Sequence, residues 1–288
     1  MFEVFTNRVI LCATLEMETA LSVGSHLSFE PIGTDLPVMK LPDGLPFIPG
    51  SSIKGAVRAL SERILRSINR RLEFWACNPL DPYETCVPAS QDKKKHPWQK
   101  SVDELWREAQ QNEERFSQLL AKHSCTTCRI FGSPWLASRV SFKDAYLENS
   151  QDPPMITQIR DGVGIDRDLG AAKQKVKYDF EVVVPGTCFG IEILTENLED
   201  WELGLLLSVL RFWEEGHLPL GGKVTRGPGW GRLKDLRLKR VDQSNLLKYL
   251  TGDQPAQESA DRYLQAFRDY VKSASGQRGG INHAQDPL

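Results

Sequence analysis

One stretch of the chain joins an apolar turn to the start of a helix: Leu45-Pro46-Phe47-Ile48-Pro49-Gly50-Ser51-Ser52-Ile53-Lys54-Gly55. Its prolines and glycine favour a tight turn, and Ser51 or Ser52 is expected to cap the helix that follows. Apolar residues then recur every three or four positions and form one stripe: Ile53, Val57, Leu60, Ile64 and Ile68. Two hydroxyls and Lys54 at the beginning of a helix predict a binding site for a phosphate backbone.

A second glycine-rich basic stretch lies far downstream: Gly221-Gly222-Lys223-Val224-Thr225-Arg226-Gly227-Pro228-Gly229-Trp230-Gly231-Arg232. Residues 221–240 contain seven Lys or Arg against one acid, and residues 54–71 contain six against one. Because the formal net charge of the chain is −2, a nucleic-acid surface has to be local. Such runs also occur on ordinary solvated faces, but neighbouring glycines let a ligand backbone come close. The two stretches together predict binding of a polyanion.

The composition is typical of a globular protein: 288 residues, 40% hydrophobic and 26% charged, enough for one large domain or two small ones. Residues 1–20 have no basic segment before an apolar block, unlike a signal peptide. No apolar run reaches the roughly 18 residues that a membrane-spanning helix needs. We therefore expect a cytoplasmic protein without a membrane partner. Its six cysteines are then expected to be thiols or metal ligands rather than disulfides.

The order of the predicted elements indicates an α+β fold. The patterns predict strands over 2–17, 139–147, 157–165, 176–184, 187–195 and 230–241, and helices over 51–68, 102–122, 198–214 and about 256–271. A strand–helix–strand–strand–helix–strand order is the ferredoxin-like pattern, here with large insertions. We expect a single domain over 1–250 with a helical insertion at about 75–128 and a hairpin at about 157–184. A C-terminal helix over 251–272 and a disordered tail over 273–288 follow.

Four cysteines have a spacing that suggests a metal site. Cys125 and Cys128 lie on one tight turn, and Cys77 and Cys86 lie in the proline-rich segment at the other end of the same helical excursion. Four such thiolates suit a tetrahedral structural Zn²⁺, with His96 and His123 as alternatives for the fourth ligand. The other interpretation is four unrelated thiols or a redox pair.

The remaining candidates are weaker when each is taken alone. Asp35 lies in a glycine- and proline-containing loop, where most aspartates only cap turns. Trp230 and Phe47 are able to stack on a base but are more often core residues. His26 and His217 lie near the two glycine-rich regions, although a lone histidine is seldom a general base.

Taken together and in order, several segments resemble the RAMP proteins, and more closely the backbone subunit of type III CRISPR RNA-guided effector complexes. The matching segments are 21–24, 33–38, 45–54, 128–132, 140–145, 164–167, 178–183 and 221–231. They include Gly33-Thr34-Asp35-Leu36-Pro37-Val38 and Tyr178-Asp179-Phe180-Glu181-Val182-Val183. One such segment is weak evidence, but the ordered set covers most of residues 20–235.

The resemblance implies an RRM-like core and subunits arranged along a guide RNA. It implies that the guide backbone is held by residues of the two basic stretches and the hairpin: Ser51, Ser52, Lys54, Arg58, Arg167, Lys223, Arg226 and Trp230. The hairpin around 166–175 would be the thumb that wedges into the guide–target duplex. Asp35 aligns with the catalytic aspartate of the family, which cleaves complementary target RNA with Mg²⁺ or Mn²⁺ by in-line attack of a 2′-hydroxyl.

Two other functions stay open at this point. Some members of the family are catalytically silent, so the chain is also compatible with a scaffold that binds only guide RNA and other effector subunits. A guide-processing nuclease that uses His26 or His217 as acid and base is the third hypothesis. The insertion that begins near Trp75 is larger than in the simplest members, which suggests a variant complex.

Overall fold

The fold is built on a five-stranded antiparallel sheet with helices on one face. The computed structural model describes residues 4–24, 35–68, 74–89, 99–148, 156–168, 170 and 172–276. In chain order the elements are β1 (Asn7–Met17), α1 (Gly50–Ile68), α2 (Val102–Glu108), α3 (Glu113–His123), α4 (Thr126–Phe131), β2 (Val140–Phe142), β3 (Thr157–Ile165), β4 (Ala172–Val183), β5 (Cys188–Glu196), α5 (Asp200–Glu214), β6 (Gly231–Asp242), α6 (Leu246–Leu250), β7 (Gln257–Glu258) and α7 (Asp261–Gly276), with a turn of 3-10 helix at Val224–Arg226. The sheet order is β2-β5-β1-β6-β7, and β3 and β4 form a separate hairpin.

Alternation along β1 explains how the sheet buries one face. Every second residue from Asn7 to Met17 is buried, and the residues between them are half-buried. Helix α1 places Ile53, Val57 and Leu65 against this face. Leu65, in the fifth turn, is buried, whereas Ile64 of the predicted stripe is only partly buried and packs against this core.

Helix α5 is apolar on most of its surface because it lies between the sheet and α7. The contact between the two helices depends on Gly204, since a Cβ there would lie 2.0 Å from the Tyr263 carbonyl oxygen. The ring of Tyr270 in α7 stacks on that of Trp201 in α5, with 3.8 Å between the ring centroids.

A second, smaller core lies in the insertion between α1 and β2. Its buried residues are Cys77, Cys86, Val87, Leu105, Leu120, Cys125, Cys128 and Leu136. Ser101 and Glu104 form a capping box that starts α2. The single helix predicted over 102–122 is wrong, because Gln110 and Gln111 adopt φ of 55° and 61° and separate α2 from α3.

The predicted α+β class is confirmed, together with the antiparallel sheet, the hairpin and the helical insertion that carries four cysteines. Several boundaries differ from the expected ones. β1 begins at Asn7, and β2 covers only Val140–Phe142, although the chain after it keeps backbone hydrogen bonds with β5 through Tyr146 and Glu148. Helix α7 continues to Gly276, so residues 273–276 are helical, and the rest of the predicted tail lies outside the described residues. Among the described helices, none has the length and apolar character needed to cross a membrane.

Candidate functional site

The segment Thr19–Gly24 connects three parts of the chain that carry candidate residues. Leu21 forms backbone hydrogen bonds with Val183 at the base of the hairpin. The Ser22 carbonyl accepts from the N–H of Gly222, and the Ala20 carbonyl accepts from Gly229, so the basic loop 221–232 is seated on the same segment. Val23 accepts from the N–H of Met39, which brings in the stretch that follows Asp35.

Asp35 lies against the hairpin. Its side chain is exposed, and Oδ2 accepts a hydrogen bond of 3.1 Å from the backbone N–H of Asp179 in β4. The next residue, Leu36, bridges to Phe180 in parallel orientation, and its carbonyl accepts from the N–H of Glu181. These contacts with β4, which is distant in sequence, therefore fix the position of Asp35.

Two cations of the basic loop reach the same strand from another direction. The Lys223 ammonium lies 4.5 Å from the centroid of the Phe180 ring, a cation–π arrangement. The Arg226 guanidinium donates to the hydroxyl of Tyr178. Partial burial and the nearby Arg226 lower the pKa of Lys223. Asp35, Lys223 and Arg226 therefore converge on residues 178–180 of β4.

The beginning of α1 is capped differently from the prediction. The N–H of Gly50 donates to Asp144 Oδ1 at 2.7 Å, so an acid from beyond β2 holds the helix start. Ser51 and Ser52, expected as caps, lie inside the first turn, where Ser51 is exposed and Ser52 is half-buried. Gly50 is required here because a Cβ would lie 2.2 Å from the Phe142 carbonyl oxygen.

Lys54 also faces the chain before β2. Its ammonium donates to Ser138 Oγ at 3.1 Å and is half-buried. Burial, together with the neighbouring charge of Arg58, lowers the pKa of Lys54. The side chain thus has a partner within the fold and remains partly accessible.

Arg58 is directed at the insertion rather than at the helix start. Nε donates to Glu62 Oε1 at 2.9 Å, and one terminal nitrogen donates to the Gly132 carbonyl at 3.0 Å. The other terminal nitrogen lies 3.7 Å from the sulfur of Cys128. The guanidinium therefore lies beside the cysteine cluster.

Four buried cysteines lie together: Cys77, Cys86, Cys125 and Cys128. Their sulfur atoms lie within 4.8 Å of one another, and the sulfurs of Cys77 and Cys128 are 3.5 Å apart. All four are free thiols. Tetrahedral zinc with bonds of about 2.3 Å to sulfur brings its ligands to about 3.8 Å from one another, so the arrangement fits that ion.

The electrostatics of this cluster favour a bound cation. Hydrogen bonding to Cys125 raises the pKa of Cys86 and of Cys128. Burial acts to raise the pKa of Cys125, but hydrogen bonds from the other three sulfurs and from Thr127 lower it well below the usual value. Four thiolates this close together in a buried site repel one another, and a divalent ion is needed to stabilise them. His123 is not part of the cluster, and His96 lies outside the described residues.

The hairpin β3–β4 exposes several apolar side chains on one face, which also carries Asp161. Ile159, Val163 and Ile165 are exposed on β3, and Arg167 is exposed beyond its end. On the other face the ring of Tyr178 covers Gly162, where a Cβ would lie 2.3 Å from a ring carbon. Of the predicted tip, 166–175, Leu169 and Ala171 lie outside the described residues.

The aromatic and histidine candidates have mixed positions. Trp230 is half-buried, and its backbone bonds to Glu18 and Thr19 at the end of β1. Phe47 stacks on Tyr146. His217 is exposed after α5, with Nδ1 3.7 Å from a carboxylate oxygen of Glu215, and His26 lies outside the described residues.

Sequence patterns did not indicate three residues that hold the site together. Asp144 caps α1, Tyr178 contacts Arg226, and Glu181 accepts from the N–H of Val38 and pairs with Lys40. All three lie in segments quoted for the family resemblance, which was a signal that they matter but not of their role.

Comparison with known proteins adds a family and one relative. The sequence profile of the RAMP superfamily matches residues 14–234, most of the chain. A protein from Methanocaldococcus jannaschii, named CRISPR system Cms endoribonuclease Csm3, is 24% identical over 290 aligned residues. That alignment covers 96% of this chain and 96% of the relative.

Proposed function

Because this chain belongs to the RAMP superfamily, we propose that it is the backbone subunit of a type III CRISPR ribonucleoprotein, which binds guide RNA and cleaves complementary target RNA. The distant relative named an endoribonuclease supports this proposal over almost the whole length of both chains. Its partners are then guide RNA, target RNA and other effector subunits, and its expected location is the cytoplasm.

One observation carries the proposal most directly. Three consecutive residues of β4 contact a carboxylate and two cations that come from separate loops: Asp35, Lys223 and Arg226. An exposed carboxylate next to positive groups is the arrangement that phosphodiester chemistry requires. In the proposed complex the cations would attract the RNA backbone, and the acid would act on a phosphate bound beside them.

The core is assigned to the ferredoxin-like or RRM-like fold. Strands β1, β2, β5 and β6, with helices α1 and α5, repeat the strand–helix–strand order twice. The sheet order β2-β5-β1-β6, with all neighbours antiparallel, supports this assignment. The hairpin β3–β4 and the cysteine-bearing segment are then insertions into this core.

The guide backbone is held by the basic loop, the start of α1 and the hairpin. We assign phosphate contacts to Ser51, Ser52, Lys54, Arg167, Lys223 and Arg226, with Trp230 beside them. Arg58, from the same predicted set, has the least support because its three donor nitrogens contact Glu62, Gly132 and Cys128. The exposed apolar side chains of β3 are suited to contact unstacked bases, as the thumb role requires. Pairing between guide and target would read the sequence, so the protein needs few base-specific contacts.

The cleavage step uses Asp35 and a divalent cation. In the proposed step the 2′-hydroxyl of the nucleotide at the cleavage site loses its proton to a base, and its oxygen bonds to the adjacent phosphorus. The bond to the 5′-oxygen breaks in line, and the leaving 5′-oxygen takes up a proton. When bound, Mg²⁺ or Mn²⁺ would stabilise the negative charge on the phosphate oxygens. One exposed carboxylate fits such an ion when RNA phosphates provide further ligands, which is usual for Mg²⁺.

The cysteine cluster is proposed as a structural Zn²⁺ site. Four protein ligands leave no open coordination position, which is typical of structural rather than catalytic zinc. The zinc would join Cys77 and Cys86, in residues 75–89, to Cys125 and Cys128 at α4. Arg58 of α1 contacts Cys128.

Replacement of Asp35 tests the cleavage role. In a complex reconstituted with guide RNA, Asp35→Ala is expected to lower the single-turnover cleavage rate about 100-fold or more, because the positioned carboxylate is lost. Binding of the target is expected to stay unchanged. Asp253→Ala, an exposed aspartate beyond α6, is the matched control. Cleavage at the wild-type rate at every site would remove the claim that this subunit is an enzyme.

The alternative function is a catalytically silent scaffold. It is favoured by one feature: Asp35, Lys223 and Arg226 already have partners within the chain. In that case Asp35→Ala leaves cleavage unchanged while guide binding remains salt-sensitive.

A further inference from the structure

Glu181 connects the hairpin to the segment that follows Asp35. Its side chain is largely buried, with 8% of the residue exposed. Oε2 accepts from the N–H of Val38 at 3.2 Å, and Oε1 pairs with the ammonium of Lys40 at 2.5 Å. Its own N–H donates to the carbonyl of Leu36 at 3.0 Å. Three positions of one short segment are therefore held by one residue of β4.

The segment that Glu181 holds begins directly after Asp35. The Asp35 carboxylate is bonded to the N–H of Asp179, two residues before Glu181 in β4. Because a strand is stiff over such a distance, the position of Asp35 relative to the hairpin depends on the same stretch of backbone. We propose that Glu181 is a positioning residue, which fixes Asp35 against the hairpin through Val38 and Lys40.

Electrostatics make this contact stronger than an ordinary surface ion pair. Burial acts to raise the pKa of Glu181, but Lys40, the Thr157 hydroxyl and the Val38 N–H lower it further than burial raises it. The carboxylate is thus ionised at neutral pH and has few alternatives to these partners. Loss of one partner leaves a mostly buried charge or donor without compensation, which favours a shift of the segment.

The inference rests on the proposed cleavage at Asp35 and adds a residue to it. Glu181 does not contact Asp35 itself, so its effect on the reaction is one of placement. A displacement of about 1 Å in a reacting group is able to cost about 100-fold in rate. A residue that only stabilised the fold would lower RNA binding and melting temperature together with the rate.

The test measures rate, binding and local exchange in a complex with guide RNA and a complementary target RNA. Glu181→Gln keeps an acceptor for Val38 but loses the charge that pairs with Lys40. We expect cleavage to slow about 10- to 100-fold at saturating target, with unchanged affinity for guide and target. Amide hydrogen exchange over 36–40 is expected to become faster. Glu196→Gln, which breaks the Arg8 ion pair elsewhere on the sheet, is the matched control and is expected to leave the rate and this exchange unchanged.

Lys40→Met and the double variant complete the test. If the pair acts as a unit, the double variant is no slower than the slower single variant. Lys40→Met also takes the place of Glu181→Gln if the latter does not fold. If Asp35→Ala slows cleavage as expected, a wild-type rate in both single variants overturns the inference. Unchanged exchange over 36–40 overturns it whatever the result for Asp35→Ala.

The two proposals fail in different ways. If Asp35→Ala leaves cleavage unchanged, the proposed function is wrong, and the catalytic part of this inference falls with it. The exchange measurement then decides separately whether Glu181 holds the segment. A parallel loss of guide affinity and melting temperature in Glu181→Gln would show a structural role and contradict positioning.

Discussion

Arg58 shows how a side chain acquires its role from packing. Glu62 lies four residues after Arg58 and four before Arg66, a spacing that favours ion pairs on one face of α1, and Glu62 pairs with both arginines. The fold adds partners that no local pattern indicates, the carbonyl of Gly132 and the sulfur of Cys128. A positive charge beside buried thiolates supports their ionised form, as partners around a metal site often do.

Arg58→Ala is therefore expected to weaken zinc binding about 10- to 100-fold, because the donor next to Cys128 is lost. Competition with a chromophoric zinc chelator measures this affinity. Arg63→Ala, an exposed arginine on the same helix, is the matched control and is expected to bind zinc as the wild type does. Unchanged zinc affinity together with weaker guide RNA binding would instead support the sequence-based assignment of Arg58 to RNA.

At the scale of elements, the basic loop 221–232 is fitted closely to its neighbours. Gly221 has φ of +81°, and a Cβ there would lie 2.5 Å from the Ser22 carbonyl oxygen. Gly229 has φ of +98°, and a Cβ there would lie 2.4 Å from the Leu220 carbonyl oxygen. These two glycines allow the loop to pack closely against the carbonyl oxygens of Ser22 and Leu220. Two cations of the loop, Lys223 and Arg226, contact Phe180 and Tyr178 of β4.

Salt dependence tests whether this loop binds RNA. The slope of log affinity for guide RNA against log salt concentration is expected to fall by about 0.7 for each phosphate contact removed, as in Lys223→Ala and Arg226→Ala. Lys248→Ala in α6, an exposed lysine on another surface, is the control. An unchanged slope with a lower melting temperature in Lys223→Ala would mean that the lysine serves only its contact with Phe180.

The whole molecule has two main hydrophobic cores of different kinds. The larger one lies between the sheet and helices α1, α5 and α7 and is mainly apolar. The smaller one contains the four cysteines with a few apolar residues, including Leu105 and Leu120. So few apolar side chains bury little surface, and the smaller core is therefore expected to depend on its metal.

Removal of zinc is expected to loosen the insertion while the sheet persists. A chelator should speed proteolysis within residues 75–131 and leave most of the far-ultraviolet circular dichroism signal of the protein unchanged. Lower pH should weaken zinc binding because the thiolates become protonated. Cys77→Ser is expected to reduce bound zinc below about half an equivalent, whereas Cys12→Ser, outside the cluster, is not. Full zinc content in Cys77→Ser would contradict the four-cysteine site.

Local periodicity was enough to predict much of the fold. The strand pattern over 157–165 coincides with β3, and the apolar stripe that begins at Ile53 identified α1. The spacing of the cysteines predicted a site of Cys77, Cys86, Cys125 and Cys128, and the four sulfurs lie together in the structure. These features are determined by the sequence itself, because strand alternation, helical spacing and a two-cysteine turn each involve neighbouring residues only.

Only the tertiary structure decided which distant residues meet. The cap of α1 comes from Asp144, 94 residues after Gly50, although nearby serines were available. Asp35 takes its position from β4, and Glu181 fixes the segment after it. No spacing rule encodes such contacts, since they depend on how the hairpin and the loops pack on Thr19–Gly24. The sequence therefore determined the elements and the candidate chemistry, and packing decided which candidates share a site.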